Sequence, residues 1–194
     1  SVKEDQNIKR QIFEKLDCIA GGNTIIASNT SSIPIGIIAK NCKNKSNIIG
    51  LHFLNPASYM KAVEIPLPTF TSKETVNKVI KLVKKLDKEP LIVKDIPGFL
   101  LNRMMFIMLN EAANILHQNI ATKEEIDKVM VLGANHPLGP LKIIDLVGVD
   151  VTVDILKNMR KELKDNKFAP SPILLKMLEE NRLGKKTKTG FYEY

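Results

Sequence analysis

Apolar and polar positions divide this chain into two kinds of segment. Over 5–20, Ile8, Ile12, Phe13, Leu16 and Ile19 recur at helical spacing, and Gly21-Gly22-Asn23 closes the helix they predict. Thr24 to Ser28 is short, β-branched and apolar, the pattern of a strand buried on both faces. A short helix is expected over 33–39. Asn47 to Phe53 reads as a second buried strand, stopped by Asn55-Pro56, and Lys61 to Ile65 as a third, cut by Pro66 and Pro68. Thr71-Ser72-Lys73-Glu74 has the form of a capping box. It opens a helix in which Val76, Val79, Ile80, Val83 and Leu86 share one face, and Pro90 to Val93 is a last strand. Strand and helix alternating in this way predict an α/β layer.

The pattern changes after Pro97-Gly98. Phe99 to Leu116 is long and mostly apolar, a helix buried on several sides. A second capping box, Thr122-Lys123-Glu124-Glu125, starts a helix running to about Leu132. Residues 135–140 form a loop, 141–163 and 171–181 are further helices, and 184–192 is a basic, glycine-bounded tail. The expected organisation is an α/β part over residues 1–96 and an all-helical part over 97–194.

Composition narrows the function classes. A hydrophobic content of 44% in 194 residues supports a packed core. The net charge of +8 invites a phosphate-bearing or nucleic-acid partner. Aromatic residues make up only 5% and Trp is absent, which is poor material for base stacking, so nucleic acid is not the expected partner. Cys18 and Cys42 show no metal-ligand spacing with the histidines, so no metal site is expected and a reducing compartment is. The opening Ser-Val-Lys-Glu-Asp is unlike a signal peptide, and the apolar run over 98–109 is broken by Asn102 and Arg103. These features point to the cytoplasm, or the mitochondrial matrix in a eukaryote, with no membrane partner. There is no G-x-G-x-x-G and no Walker A pattern.

His52 is the first candidate for chemistry. It ends a predicted buried strand, at the edge where α/β sheets hold ligands. A hairpin centred near Ser58 would put Glu64 opposite it, and a carboxylate on one imidazole nitrogen leaves the other to exchange a substrate proton. The spacing alone favours a core histidine facing an edge-strand charge, because it does not fix the hairpin register. Ser28-Asn29-Thr30-Ser31-Ser32 places small donors at the same edge, or makes an ordinary turn. Asn102, a polar amide in an apolar helix, needs a partner, either a substrate carbonyl or a backbone group. His117 and His136 read as structural. Lys81, Lys84, Lys85 and Lys88 read as a solvated helix face. Lys185, Lys186 and Lys188 read as a phosphate-binding candidate or a disordered tail.

Three blocks of sequence carry a family resemblance: Ala27 to Ser32, Gly50-Leu51-His52-Phe53-Leu54-Asn55-Pro56, and Met60-Lys61-Ala62-Val63-Glu64. Pro97 to Arg103, Leu132 to Pro140 and Gly184 to Tyr192 continue it in order and spacing. Together they resemble the L-3-hydroxyacyl-CoA dehydrogenases, including bacterial 3-hydroxybutyryl-CoA dehydrogenases. The resemblance implies that (S)-3-hydroxyacyl-CoA and 3-ketoacyl-CoA are interconverted by hydride transfer with NAD. His52 would be the general acid/base and Glu64 its orienting carboxylate. Ser31 and Asn55 would lie near the nicotinamide and the reacting hydroxyl, and Asn102 near the substrate carbonyl. Glu4, Lys9 and Lys186 would face the cofactor. An acyl-CoA substrate and a homodimer formed through the helical part are implied as well. Family members carry a βαβ unit with the glycine fingerprint ahead of the segment matched at Ser1, so this chain is expected to be a piece of a larger dehydrogenase. The residue that reads the ribose would lie in that unit, so NADP remains open beside NAD. The same absence leaves open a non-catalytic remnant, dimerising or CoA-binding, or a structural relative of the family.

Overall fold

The computed structural model describes Val2 and residues 4–194. Two compact units divide the chain, one ending at Leu100 and the other running from Leu101 to Tyr194.

In the first unit, helix α1 (Gln6–Ile19) starts at Asp5, whose carboxylate accepts from the backbone N–H of Asn7 and Ile8. Strand β1 (Ile26–Ser28) pairs in parallel with β2 (Ile48–Gly50), and the short helix α2 (Ile35–Ile38) lies between them in sequence. Alternation along β2 sends successive side chains to opposite faces. Ile48 joins Phe13, Ile26, Ile35 and Ile38 under α1 and α2. Ile49 joins Val63, Ile65, Val79 and Val83 under helix α3 (Lys73–Lys85). A three-stranded sheet follows: β3 (His52–Phe53) antiparallel to β4 (Ala62–Leu67), and β4 parallel to β5 (Glu89–Lys94). The α/β expectation therefore holds.

Several local expectations do not. The run 47–53 is two strands, because Leu51 N–H still bonds Ser28 while His52 has already turned to pair with Glu64. Strand β1 is covered on one side only, with Ala27 exposed. Strand β4 continues through Pro66, whose ring lies where a Gly50 side chain would stand, 2.7 Å from an added Cβ. The cap of α3 is Ser72, bonded to the N–H of Thr75, while Thr71 turns its hydroxyl onto the Ile48 carbonyl. Leu86 is exposed. Lys88 is more than a solvated charge, since its ammonium holds the carbonyls of Ala57 and Met60 at 2.6 and 2.8 Å.

The loop after β1 is fastened from the N-terminal side. The Glu4 carboxylate accepts from the Thr30 hydroxyl, from Ser31 N–H at 3.2 Å and from Ser32 N–H at 3.3 Å, and pairs with the buried Lys9 ammonium at 2.9 Å. Burial pushes this carboxyl up, but the hydrogen bonds of Thr30, Lys9 and Ser32 and the Lys9 charge outweigh it. The net result holds Glu4 below its ordinary value.

The second unit is helical: α4 (Leu101–His117), α5 (Lys123–Ala134), α6 (Pro140–Val147), α7 (Val149–Leu163) and α8 (Pro172–Glu179). Phe106, Leu109, Leu141, Ile144, Leu156, Phe168 and Leu174 are core residues. The Thr122–Glu125 capping box is present on α5. The predicted 141–163 helix is broken at Gly148, whose φ of 107° no continuing helix residue adopts. Phe99 is outside α4, with a φ of 46°. The basic tail is ordered. The buried Asp145 carboxylate accepts from Phe191 and Tyr192 N–H, both at 2.9 Å. Gly190 passes so close that an added Cβ would stand 2.1 Å from that carboxylate.

Gly190→Ala should lower the unfolding free energy in urea by about 1–3 kcal/mol. Gly22→Ala, with nothing within 4 Å of its added methyl, should change it by less than about 0.5 kcal/mol. Glu4 titrates lower folded than at its unfolded value of 4.5, so its contribution is complete above that pH and is lost as pH falls through the folded value. The stability difference between the native chain and Glu4→Gln should therefore be present at about pH 7 and be lost as pH falls below the ordinary carboxylate range.

Candidate active site

The parallel strands β1 and β2 end together at Ser28 and Gly50. The chain beyond each carries the polar candidates, at the carboxyl edge where open α/β sheets bind ligands. His52 stands opposite Glu64 in the β3–β4 ladder, and its Nδ1 lies 2.8 Å from Glu64 Oε2. Both are buried, Glu64 to 2% exposure. A buried carboxylate is tolerated only when its lone pairs are used. The second oxygen of Glu64, Oε1, accepts from Leu100 N–H at 3.0 Å. The Phe99 ring lies 5.7 Å from the His52 ring, centroid to centroid, at an interplanar angle of 53°. With Nδ1 on Glu64, Nε2 is the ring position left to act on a substrate.

Beside this pair lies the Ser28–Ser32 loop. Asn29 accepts from Phe53 N–H at 2.8 Å, tying the loop to β3. Ser31 is half-buried and Ser32 buried. The Ser32 carbonyl accepts from Gly98 N–H at 3.2 Å. On the far side of the loop, Asp95 accepts from Ile35 N–H at 2.6 Å and Gly36 N–H at 2.7 Å. Burial pushes the Asp95 carboxyl above its ordinary value, and these two bonds only partly oppose it. Asn55 is exposed, just beyond β3. Neutral hydroxyl and amide groups thus stand at the carboxyl end of the parallel strands, with the Lys9 ammonium bound to the Glu4 carboxylate that fastens their loop.

The first unit thus holds two groups, His52 with Glu64 and Glu4 with Lys9 and the Ser31 loop, tied to one another by Asn29 on Phe53 N–H; Asn55 is exposed. Asn102 and Lys186 belong to the helical unit. Asn102 is buried in the first turn of α4, and the Lys186 ammonium is held by both oxygens of Asp150. His117 is exposed and His136 half-buried. Among the described residues no cluster of three or more metal-ligating side chains occurs, and no helix is long and apolar enough to cross a membrane. Sequence reading missed Asp95, Phe99 and the Leu100 N–H. The one signal for them was the Asp-Ile-Pro-Gly punctuation at 95–98, which marks a turn without showing what it touches.

Residues 1–96 match the family model described as 3-hydroxyacyl-CoA dehydrogenase, NAD binding domain, and residues 98–194 match the corresponding C-terminal domain. The chain is 46% identical over 191 residues to the 3-hydroxybutyryl-CoA dehydrogenase of Clostridioides difficile, covering 98% of this chain and 68% of that protein. It is 40% identical over 195 residues to the human mitochondrial hydroxyacyl-coenzyme A dehydrogenase, covering 100% of this chain and 62% of that one. The crystal structure of (S)-3-hydroxybutyryl-CoA dehydrogenase from Ralstonia eutropha superposes with a TM-score of 0.96 at 40% identity, over 100% of this chain and 69% of that one. On the two matched domains and these identities, the chain belongs to the 3-hydroxyacyl-CoA dehydrogenase family.

Proposed function

We propose that the chain acts as an NAD-linked oxidoreductase that interconverts (S)-3-hydroxyacyl-CoA and 3-ketoacyl-CoA, with short acyl chains such as 3-hydroxybutyryl-CoA as substrates. The carrying observation is the buried His52–Glu64 pair at the carboxyl edge of an α/β unit, in a chain whose domains match this family. When bound, NAD supplies the acceptor for the hydride that leaves C3. Everything else falls to side chains. His52 Nε2 takes the proton of the C3 hydroxyl as the carbonyl forms, and in reverse the imidazolium returns it to the ketone oxygen. Glu64 stays ionised, holds the proton on Nδ1 and stabilises the imidazolium. Ser31 and Asn55 would orient the hydroxyl and the nicotinamide, and Glu4 and Lys9 would hold the cofactor on the nucleotide side. Asn102 and Lys186 are assigned from the family pattern alone, to the substrate carbonyl and the cofactor.

The assembly is a homodimer formed through the helical unit. Supporting it is an apolar groove of about 640 Å³ on α4 and α5, lined by Met104, Ile107, Met108, Val129 and Met130 among others. Met104, Val129 and Leu132 are each more than half exposed, a patch of the kind soluble chains cover with a partner. A reducing compartment, the cytoplasm or a mitochondrial matrix, suits the unpaired thiols Cys18 and Cys42.

His52→Gln in the NAD-binding enzyme should lower kcat for NADH-dependent reduction of acetoacetyl-CoA by about 10²–10⁴-fold, with NADH affinity and circular dichroism unchanged. Retained turnover would refute the assignment. Glu64→Gln should lower kcat in the same direction. Val129→Glu should convert the dimer to monomer in sedimentation velocity without loss of helicity. An unchanged sedimentation coefficient would remove this face from the interface.

A further inference from the structure

The segment Asp95 to Leu100 touches both halves of the site, and none of the roles assigned so far uses it. From one end, Asp95 clamps the backbone N–H groups of Ile35 and Gly36, directly after the Ser28–Ser32 loop. In the middle, Gly98 N–H holds the Ser32 carbonyl. At the other end, Leu100 N–H holds Glu64 Oε1, and the Phe99 ring, 2% exposed, packs against His52. The turn is tight: Gly98 and Phe99 have φ of 73° and 46°. Phe99 accepts that left-handed conformation only because its surroundings hold it there. The segment acts as a strap whose length and anchor points set the distance between the Ser31 loop and the His52–Glu64 pair.

We propose that Asp95 is a positioning residue for the proton transfer, acting through the 95–100 strap on Glu64 and His52. Its carboxylate is the strap's charged anchor, and it uses both oxygens on adjacent backbone N–H groups. An amide in its place offers one acceptor and turns a donor toward the other N–H. The strap would then slide, Leu100 N–H would leave Glu64, and a carboxylate short of one donor would draw the His52 proton more strongly. The charged group facing His52 is Glu64 from β4, and Phe99 covers it with an uncharged ring. Small displacements of this kind are costly in a site where reacting atoms must be held within a fraction of an ångström.

A control is built into the same unit. Asp17 also accepts two consecutive backbone N–H groups, those of Lys43 and Asn44 at 2.6 and 3.1 Å, on residues that are not part of the site. A purely structural clamp should behave like Asp17.

The inference rests on the acid/base role of His52, so its test reads the imidazole directly as well as turnover. The chain has three histidines, so the His52 ring signals can be assigned by elimination with His117 and His136 variants. In the NAD-binding enzyme, Asp95→Asn should shift and broaden the Nδ1–H resonance of His52, the proton shared with Glu64. It should also lower kcat by about tenfold or more with a KM change of less than about threefold. Asp17→Asn should lower the melting temperature but leave the His52 signals and kcat in place. Unmoved His52 signals in folded Asp95→Asn, or the same kinetic loss in both variants, would overturn the positioning role. If the His52 signals move but native enzyme and variant alike lack dehydrogenase activity, the strap stands and the functional reading fails. Should Asp95→Asn not fold, Gly36→Ala, whose methyl would press to 3.3 Å from Asp95 Oδ2, must move the same signals, and their constancy would count against the proposal.

Discussion

The contact between His52 Nδ1 and Glu64 Oε2 depends on strand register, and the first unit is arranged so that the register cannot slip. One residue of slippage in the β3–β4 ladder would set Val63 or Ile65 opposite the imidazole and turn Glu64 to the other face. Antiparallel pairing over the two residues of β3 is too short to prevent that alone. Strand β4 is instead held from its other edge by a six-residue parallel ladder with β5 and by the Pro66 ring seated on Gly50. The hairpin tip is held by Lys88 on the carbonyls of Ala57 and Met60. A buried, ionised carboxylate without both its donors would cost several kcal/mol, so the site and the fold around it stand or fall together.

A common device recurs through both units. Among the described residues, acidic side chains repeatedly accept from two consecutive backbone N–H groups distant in sequence: Glu4 on Ser31 and Ser32, Asp17 on Lys43 and Asn44, Asp95 on Ile35 and Gly36. In the helical unit Asp127 does so on Leu141 and Lys142, and Asp145 on Phe191 and Tyr192. Charge-assisted bonds to backbone donors are about twice as strong as neutral ones, and they fix loops that small sheets cannot. The net charge of +8 conceals this, because the lysines lie mostly outside and several of the acids that matter lie inside.

Much of this was legible in the chain. The helix over 6–19 and the capping box at Thr122 follow from spacing and turn chemistry, whereas the pairing of His52 with Glu64 follows only once a hairpin centred near Ser58 is assumed. The misread places have physical reasons. A proline in a strand is a stop signal unless a glycine on the neighbouring strand leaves room for its ring, as Gly50 does for Pro66. A break at Gly148 is invisible to periodicity when apolar residues stand on both sides of it. The glycine-bounded tail looked equally like disorder, because its partner, the Asp145 carboxylate, lies 46 positions away in sequence from Phe191. Asp95 was missed for the same reason: a side chain's long-range partner leaves no periodic trace.

The central claim is that one imidazole, held by Glu64, moves the proton in both directions. It is tested most directly by measuring kcat/KM against pH for oxidation of 3-hydroxybutyryl-CoA and for reduction of acetoacetyl-CoA by the NAD-binding enzyme. Oxidation needs His52 neutral, so it should rise with pH. Reduction needs the imidazolium, so it should fall as pH rises, and both limbs should disappear in His52→Gln. Profiles that run in the same direction, or limbs that survive the substitution, would contradict the account.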